Sequence, residues 1–442
     1  MTEENLKLIH TADWHLGNQM HEIDRTEETL AFFEFLRNQI RAESAETLII
    51  SGDIFDTANP STAARRSYYN FLASLAGTCC RNIIITGGNH DSAAMLDASK
   101  EILEALNIHV VGSILSPGEE GGIRPENMVF ELFGADGEAA AICAAVPFVR
   151  ETEMRNYCAA ADKSAENDGI CLSDRAFSGI YGDVLEAAKK LRGGRKIPLV
   201  ATGHLYAAEL DGRLAGTDPA EHSDDGTKVI DVVGNLGCVH SAVFPDEFDY
   251  VALGHIHYTT MVAKNPKIRY SGSPFVLGFD ECEIPRNILS VSAESGGIPD
   301  VKTIRIPGFF KFRRIGGTTE EIRNQLEQLA AVRPEKKEFI EIVYENGFGR
   351  NIQNELEDTI RRLAGSAEIV SWKMRNRRAL SSGAESDIEN FQMNSLDENE
   401  IFREFILSKS GIQDGTEESE KLLEKFMALF RQISAEEENA DN

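Results

Sequence analysis

Apolar and polar positions alternate between two periods along the first hundred residues. Leu6–His10, Thr47–Ser51 and Asn82–Thr86 are short runs rich in β-branched residues, bounded by polar segments, and read as buried strands. Helical spacing fills the gaps. Arg25–Glu43 places Leu30, Phe33, Leu36 and Ile40 on one face, Ser61–Leu75 turns Tyr68, Leu72 and Leu75 inward, and Ala98–Leu106 predicts a third helix. Strand and helix in turn predict α/β layering. Beyond Ile108 the pattern is strand-rich, with glycine and proline punctuation through Gly121 and Gly122. Arg150–Asp174 is polar and irregular and reads as a surface excursion. Strands resume at Pro198–Thr202 and Tyr250–Leu253.

Gly296-Gly297-Ile298-Pro299 predicts a break. A compact set follows: a strand over Thr303–Phe312, a helix over Thr319–Ala331, a strand over Glu338–Tyr344, a helix over Asn351–Leu363 and a strand over Ala367–Met374. Thr318 and Glu321 stand at capping-box spacing ahead of the first of these helices. The expected organisation is an α/β body over 1–295, a small domain over 300–380, a polar linker over 381–394 and terminal helices over 395–442. The first terminal helix opens at Ser395 with Glu398 and shows Ile401, Phe402, Phe405 and Ile406. The second shows Leu422, Phe426, Leu429 and Ile433, with Leu423 and Phe430 beside them. Helices this short need the body or a partner to cover their apolar faces.

Composition narrows the class. With 42% hydrophobic residues in 442 the chain can bury a large core, and no apolar run approaches the ~18–20 residues of a membrane span. The acidic start Met1-Thr2-Glu3-Glu4 is unlike a secretory signal. The seven cysteines show no CxxC spacing and read as reduced thiols of a cytoplasmic protein. A net charge of −27 argues against nucleic acid when taken alone, because phosphate contacts need lysine and arginine. Metal-loaded carboxylates become local positive sites, and a partner can supply a basic groove, so the objection is weak.

Five segments carry the chemistry: Asp13-Trp14-His15, Gly52-Asp53-Ile54-Phe55-Asp56, Gly88-Asn89-His90-Asp91, Gly203-His204 and Gly254-His255-Ile256-His257. Each follows a predicted strand, and α/β sheets bind ligands beyond the carboxyl ends of their strands, so the segments should meet at one sheet edge. Any one of them alone is an ordinary core or loop residue. All five in order, holding half of the ten histidines, point to a site. Asp, His and Asn offer oxygen and nitrogen and no thiolate, a set suited to Mn²⁺, Fe²⁺ or Zn²⁺, with Mn²⁺ favoured by the oxygen share. The ligands are too many for one ion. Two ions sharing a carboxylate, ~3.5–4 Å apart, are the arrangement that phosphatases and nucleases use on phosphate esters. Glycine before the ligands allows a sharp turn and close approach.

DxH, GDxxD, GNHD, GH and GHxH in this order resemble the calcineurin-like metallophosphoesterases. Thr11–Gly17, Gly52–Asp56, Gly87–Ser92 and Tyr270-Ser271-Gly272-Ser273-Pro274 are most similar to the SbcD nuclease branch. Asp56 is followed by Thr57-Ala58-Asn59 and His90 by Asp91, unlike the phosphatase branch. The resemblance implies an α/β fold, a β-sandwich flanked by helices, with a small α+β capping domain and C-terminal helices. It implies two divalent ions, with Asp13, His15, Asp53 and His257 on the first, Asp53 bridging, and Asn89, His204 and His255 on the second. His90 would stay unligated and act on the leaving oxygen, while Asp91 either orients His90 or caps a turn. Asp56 and Trp14 read as structural supports and His10 as a buried hydrogen-bonded residue. His21, His109, His222 and His240 carry no argument.

The resemblance also implies double-strand exonuclease and single-strand or hairpin endonuclease activity in DNA repair, recombination and replication, in the cytoplasm and at the nucleoid when on DNA. The implied partner is an SbcC-like ATPase holding a homodimer within a heterotetramer. The terminal helices would dock on the ATPase coiled coil by helix-in-groove recognition. Arg25–Glu43 and Ser61–Leu75 suit either the dimer interface or core packing. No GxxxxGK[ST] segment is present, so ATP is not handled by this chain. Lys311, Arg313 and Arg314, with Lys373, Arg375, Arg377 and Arg378, would form one basic stripe for DNA if their strands are neighbours. Two other readings compete. One is a phosphoesterase of the same fold acting on small phosphodiesters or phosphoproteins, the other a metal-stabilised scaffold holding two ATPases together.

Overall fold

A computed structural model describes residues 6–115, 123–160, 170–207, 210–211, 239–332, 336–345 and 367–375. The expected helix over Asn351–Leu363, the linker, the terminal helices, His222, Arg377 and Arg378 lie outside the described residues. The chain opens with β1 (Leu6–Thr11), α1 (Thr26–Ala42), β2 (Thr47–Ser51), α2 (Thr62–Ser74) and β3 (Asn82–Thr86). The single helix expected over Ala98–Leu106 is instead a pair, α3 (Ala93–Asp97) and α4 (Lys100–Glu104), because Ser99 leaves helical geometry at φ −106°, ψ 2°. β4 (Ile108–Val111), β5 (Val129–Phe133) and β6 (Ala139–Ala145) follow.

The supposed surface excursion over Arg150–Asp174 proves to be largely helical where it is described. α5 (Glu151–Ala160) buries Glu153, Met154, Tyr157 and Cys158, and α6 (Leu172–Arg192) begins inside the same stretch. Glu151, Thr152, Arg155 and Asn156 face outward on α5, and a helix this short shows little period. Then come β7 (Leu199–His204), β8 (Leu210–Asp211), β9 (Tyr250–Gly254), β10 (Thr260–Val262), β11 (Asn265–Tyr270), β12 (Asn287–Ala293) and β13 (Asp300–Arg305). The last part holds β14 (Lys311–Gly317), α7 (Thr319–Val332), β15 (Glu338–Glu345) and β16 (Ala367–Arg375).

Two sheets form the body, in the orders β13-β12-β1-β2-β3-β4 and β5-β6-β7-β9-β11-β10-β8. One core joins Leu6, Leu8, Ile49 and Ile84 of the first sheet to Ile142, Ala144 and Val251 of the second and on to Phe177, Ile180 and Tyr181 of α6. A second core seats α1 and α2 on the outer face of the first sheet through Phe32, Phe33, Leu36, Tyr68 and Leu72. The body is thus a two-sheet sandwich flanked by helices, as the resemblance implies. Leu30 departs from the expected apolar face of α1: it is 54% exposed, and Phe32 takes the inward position. The sandwich also means that the ligand-bearing strands end on two facing sheets rather than along one edge.

Gly296–Pro299 is a hairpin turn, since β13 pairs antiparallel with β12 from Ser292↔Asp300 to Asn287↔Arg305 and so extends the first sheet. The one strand expected over Thr303–Phe312 is cut by Pro307 and Gly308 into the end of β13 and the start of β14. β14, β15 and β16 form a separate parallel three-stranded sheet covered by α7. Thr318 and Glu321 do form the capping box, with the Thr318 amide donating to Glu321 Oε2 at 2.8 Å and the Glu321 amide to Thr318 Oγ1 at 3.4 Å.

Candidate metal centre

The loops after β1, β2 and β9 turn through backbone conformations that side chains seldom adopt. Asp13 (φ 54°), His15 (φ 43°), Asp53 (φ 48°) and His255 (φ 102°) are all in the positive-φ region. The first two loops hold each other by backbone bonds, Asp13 N–H to Gly52 O and His15 N–H to Asp53 O, both 3.0 Å. A Cβ on Gly52 would lie 2.1 Å from the His204 ring, and one on Gly88 2.1 Å from Asp53 Oδ1. Only glycine lets these strands approach so closely.

Side chains from both sheets converge there. Ligating atoms of Asp13, His15 and His257 lie within 4.8 Å of one another, as do those of Asp13, Asp53 and His204. Asn89 Oδ1 lies 3.0 Å from His204 Nε2 and 3.0 Å from His255 Nδ1. Asp53 Oδ2 stands between the two groups, 3.4 Å from His15 Nε2 and 3.4 Å from His204 Nε2. All seven expected ligands therefore meet, three around Asp13 and three around Asn89, with Asp53 in the middle.

The donor set fits divalent cations. Asp13 Oδ2 and both ring nitrogens of His15 are buried with no hydrogen-bond partner, although Asp13 Oδ1 accepts the His255 amide at 2.9 Å. Leaving such atoms unsatisfied is costly, and cations would answer them. Burial opposes charge on Asp53, but His204, His15 and His90 outweigh it and hold the carboxyl far below its usual range. Burial would likewise lower His204, yet Asp53 and then Asp13 raise it to about 9. Burial, with His204 beside it, pushes His255 down to about 3, leaving its ring neutral and able to ligate. The pocket asks for positive charge in a place no lysine or arginine is described as reaching.

His90 sits at the exposed rim, its ring 4.8 Å from that of His15. Its Nδ1–H donates to the Asp56 carbonyl at 2.8 Å, which leaves Nε2 facing away with its lone pair. No described hydrogen bond joins Asp91 to that ring. Its buried carboxylate accepts the amides of Gly88 (2.9 Å), Ile54 (3.0 Å) and Phe55 (3.0 Å), tying the Asp53 loop to the Asn89 loop, in keeping with the turn-capping alternative. Asp56 Oδ1 lies 3.3 Å from His15 Nδ1. Trp14 is fully buried among Phe32, Phe33 and Phe71. His10 joins the two sheets through Tyr250 Oη at 2.9 Å and the Leu253 carbonyl at 3.2 Å.

Sequence reasoning missed Glu281. Its Oε1 accepts from His257 Nδ1 at 2.8 Å, while Arg286 bonds its Oε2 at 2.9 Å and the His257 carbonyl at 3.0 Å. A carboxylate behind a ligating histidine fixes the ring and its tautomer. Glu281 belongs to a 3-10 turn, Phe279–Glu281, with no motif around it; an acid beside aromatic Phe279 was the one faint signal.

The expected basic stripe is divided. β14 and β16 both flank β15, so the basic strands are near each other but not adjacent. Arg313 and Lys311 meet the buried Glu338, whereas Arg314 (2.7 Å) and Lys373 (3.2 Å) meet the buried Glu341. Neighbours in a strand point to opposite faces, so Arg313 and Arg314 serve two clusters, one on each side of the sheet. Arg375 ends β16, and its side chain lies outside the described residues.

Residues 6–139 match the calcineurin-like phosphoesterase family. The chain is 30% identical to SbcD of the nuclease SbcCD from Escherichia coli (strain K12), over 76% of this chain and 77% of that relative. It is 30% identical to the protein of that name from Rhodobacter capsulatus (66% and 68% covered) and 26% identical to that from Bacillus subtilis (66% and 67% covered).

Proposed function

Because the chain belongs to the SbcD family of SbcCD nucleases, within the calcineurin-like phosphoesterases, we propose that it is a metal-dependent DNA nuclease working with an SbcC-like ATPase. The observation that supports this most is the meeting of Asp13, His15, Asp53, Asn89, His204, His255 and His257 around buried atoms that lack partners. Asp13, His15, Asp53 and His257 would hold one ion and Asn89, His204 and His255 the other, with Asp53 shared, and Mn²⁺ suits the set. Such ions supply Lewis acidity toward a phosphodiester and toward water.

This chain's residues do the rest. The Asp56 carbonyl keeps the proton of His90 on Nδ1, so Nε2 can take up a proton and donate it to the leaving oxygen. Asp91 keeps the Asp53 and Asn89 loops in register. The small sheet lends partly exposed lysines and arginines for a DNA backbone. The segment 395–442 docks on the ATPase, in a complex of two copies of each chain. No described helix is long and apolar enough to cross a membrane.

The test is cleavage of a labelled DNA hairpin with Mn²⁺, comparing the protein with His90→Ala, each with and without the ATPase. We expect metal-dependent cutting that falls ~10²–10⁴-fold in the variant while bound metal is unchanged. Absence of any DNA cleavage beside rapid hydrolysis of a small phosphodiester would move the protein to another phosphoesterase class. Deleting residues 395–442 is expected to abolish co-purification with the ATPase and to leave single-strand cleavage intact. Tight association after the deletion would refute that docking role.

A further inference from the structure

Two chains of contacts leave the metal centre and end at the same place. On one side, Glu281 holds His257, and the turn that carries it also carries Phe279. Phe279 is buried with Ile23 against Phe312 of β14 and Phe339 of β15, its ring 6.0 Å from that of Phe312. On the other side, Asp56 lies 3.3 Å from His15 through its carboxylate and accepts from His90 through its carbonyl. Asn18 Nδ2 donates to that carboxylate at 3.0 Å, and Arg25 donates to Asn18 Oδ1 at 3.2 Å. The Arg25 guanidinium, buried and paired with Glu28 at 2.6 Å, stands 5.3 Å from the Phe312 ring and 5.4 Å from that of Phe275. Phe312 is thus common to both chains, and it belongs to the small sheet rather than to the sandwich.

We propose that Glu281 and Asn18 are positioning residues for the metal centre, and that both are anchored in the aromatic joint where the small sheet seats on the body. The inference rests on the metal-dependent reading above. Glu281 accepts the Nδ1 proton of His257 and so fixes the tautomer whose Nε2 lone pair is free to ligate. Asn18 steadies Asp56 and through it His15 and His90. Because both supports end on Phe312, unseating the small sheet loosens a ligand of one ion and the histidine at the rim together. The small sheet thereby becomes a condition for a fully formed site.

The experiment measures Mn²⁺ binding by calorimetry, and kcat and KM on a single-stranded oligonucleotide, in the full chain. Thermal melting serves as the folding control. Glu281→Ala is expected to weaken one Mn²⁺ by ~10–100-fold, with Glu281→Gln closer to wild type because its amide oxygen still accepts from His257. Phe279→Ala touches no polar atom of the site and should reproduce several-fold of that loss. The double variant Glu281→Ala/Phe279→Ala should be no weaker than Glu281→Ala, since both act through one turn. Asn18→Ala should lower kcat with KM nearly unchanged, and weaken Mn²⁺ less than Glu281→Ala does, because it reaches His15 only through Asp56. Wild-type affinity in Glu281→Ala or Phe279→Ala, multiplied losses in the double variant, or an unchanged kcat in Asn18→Ala would overturn the inference while leaving the nuclease reading intact. A wild-type protein that binds no Mn²⁺ would instead overturn the metal reading itself.

Discussion

Two regions of the molecule bury a pair of carboxylates, and they treat them in opposite ways. In the small sheet, Glu338 and Glu341 on the central strand each meet two cationic side chains of the flanking strands. At the mouth of the sandwich, Asp13 and Asp53 meet backbone amides and histidines and no described lysine or arginine; one oxygen lacks a hydrogen-bond partner in each region, Asp13 Oδ2 here and Glu338 Oε2 there, so the difference lies in the countercharge. The first arrangement is a closed account of charge inside the fold. The second is open, held in positive-φ backbone that only a rigid surround sustains, and cations from outside would complete it. Buried acids thus mark a binding centre where their countercharge is missing and a structural tie where it is present.

The largest effect that sharpens this contrast is at Asp53. Asp53→Asn should remove several kcal/mol of transition-state stabilisation, a loss on the order of a thousandfold or more in cleavage. It should also remove the stabilisation that Mn²⁺ gives the wild type, about 2.7 kcal/mol at a hundredfold excess over Kd and read as a rise in melting temperature. An Mn²⁺-dependent rise that survives in Asp53→Asn would show that the pocket does not need this carboxylate. A smaller effect of the opposite kind is expected at Glu338. Glu338→Ala strands Arg313, which is partly exposed, and should cost roughly 1–3 kcal/mol in denaturant unfolding. Its Mn²⁺ affinity should stay within about twofold of wild type, and loss of metal binding would break the comparison. The smallest effect is at Lys373, 38% exposed beside Glu341. Lys373→Gln should reduce the salt slope of DNA binding by about one unit, and an unchanged slope would assign the lysine to Glu341 alone.

The same contrast explains what was legible in the sequence. Asp13, His15, Asp53, Asn89, His204, His255 and His257 stand in short segments at strand ends, so local pattern and order reveal them. The small sheet's basic residues were equally visible, but their meaning depended on Glu338 and Glu341, which an alternating strand pattern presents as solvated positions. Glu281 lies 24 residues from His257 in a turn, and nothing local tells a second support from a surface acid. α5 was hidden because a short helix with a charged outer face lacks a strong period, and Leu30 misled because Phe32 outcompeted it for the core.

The place of β1 in its sheet has a consequence for synthesis. The strand that delivers Asp13 and His15 lies between β2, which soon follows it, and β12, whose Ala293 pairs with Leu6. As the chain leaves the ribosome, the first strand waits with one edge unpaired until nearly three hundred residues have been made. His255 and His257 come late as well, after β9 and before β10, β11 and β12. A product that stops before β12 therefore lacks the closed sheet even where it holds the last histidines, and the proposed metal centre would gain its full frame only in a chain whose body is finished.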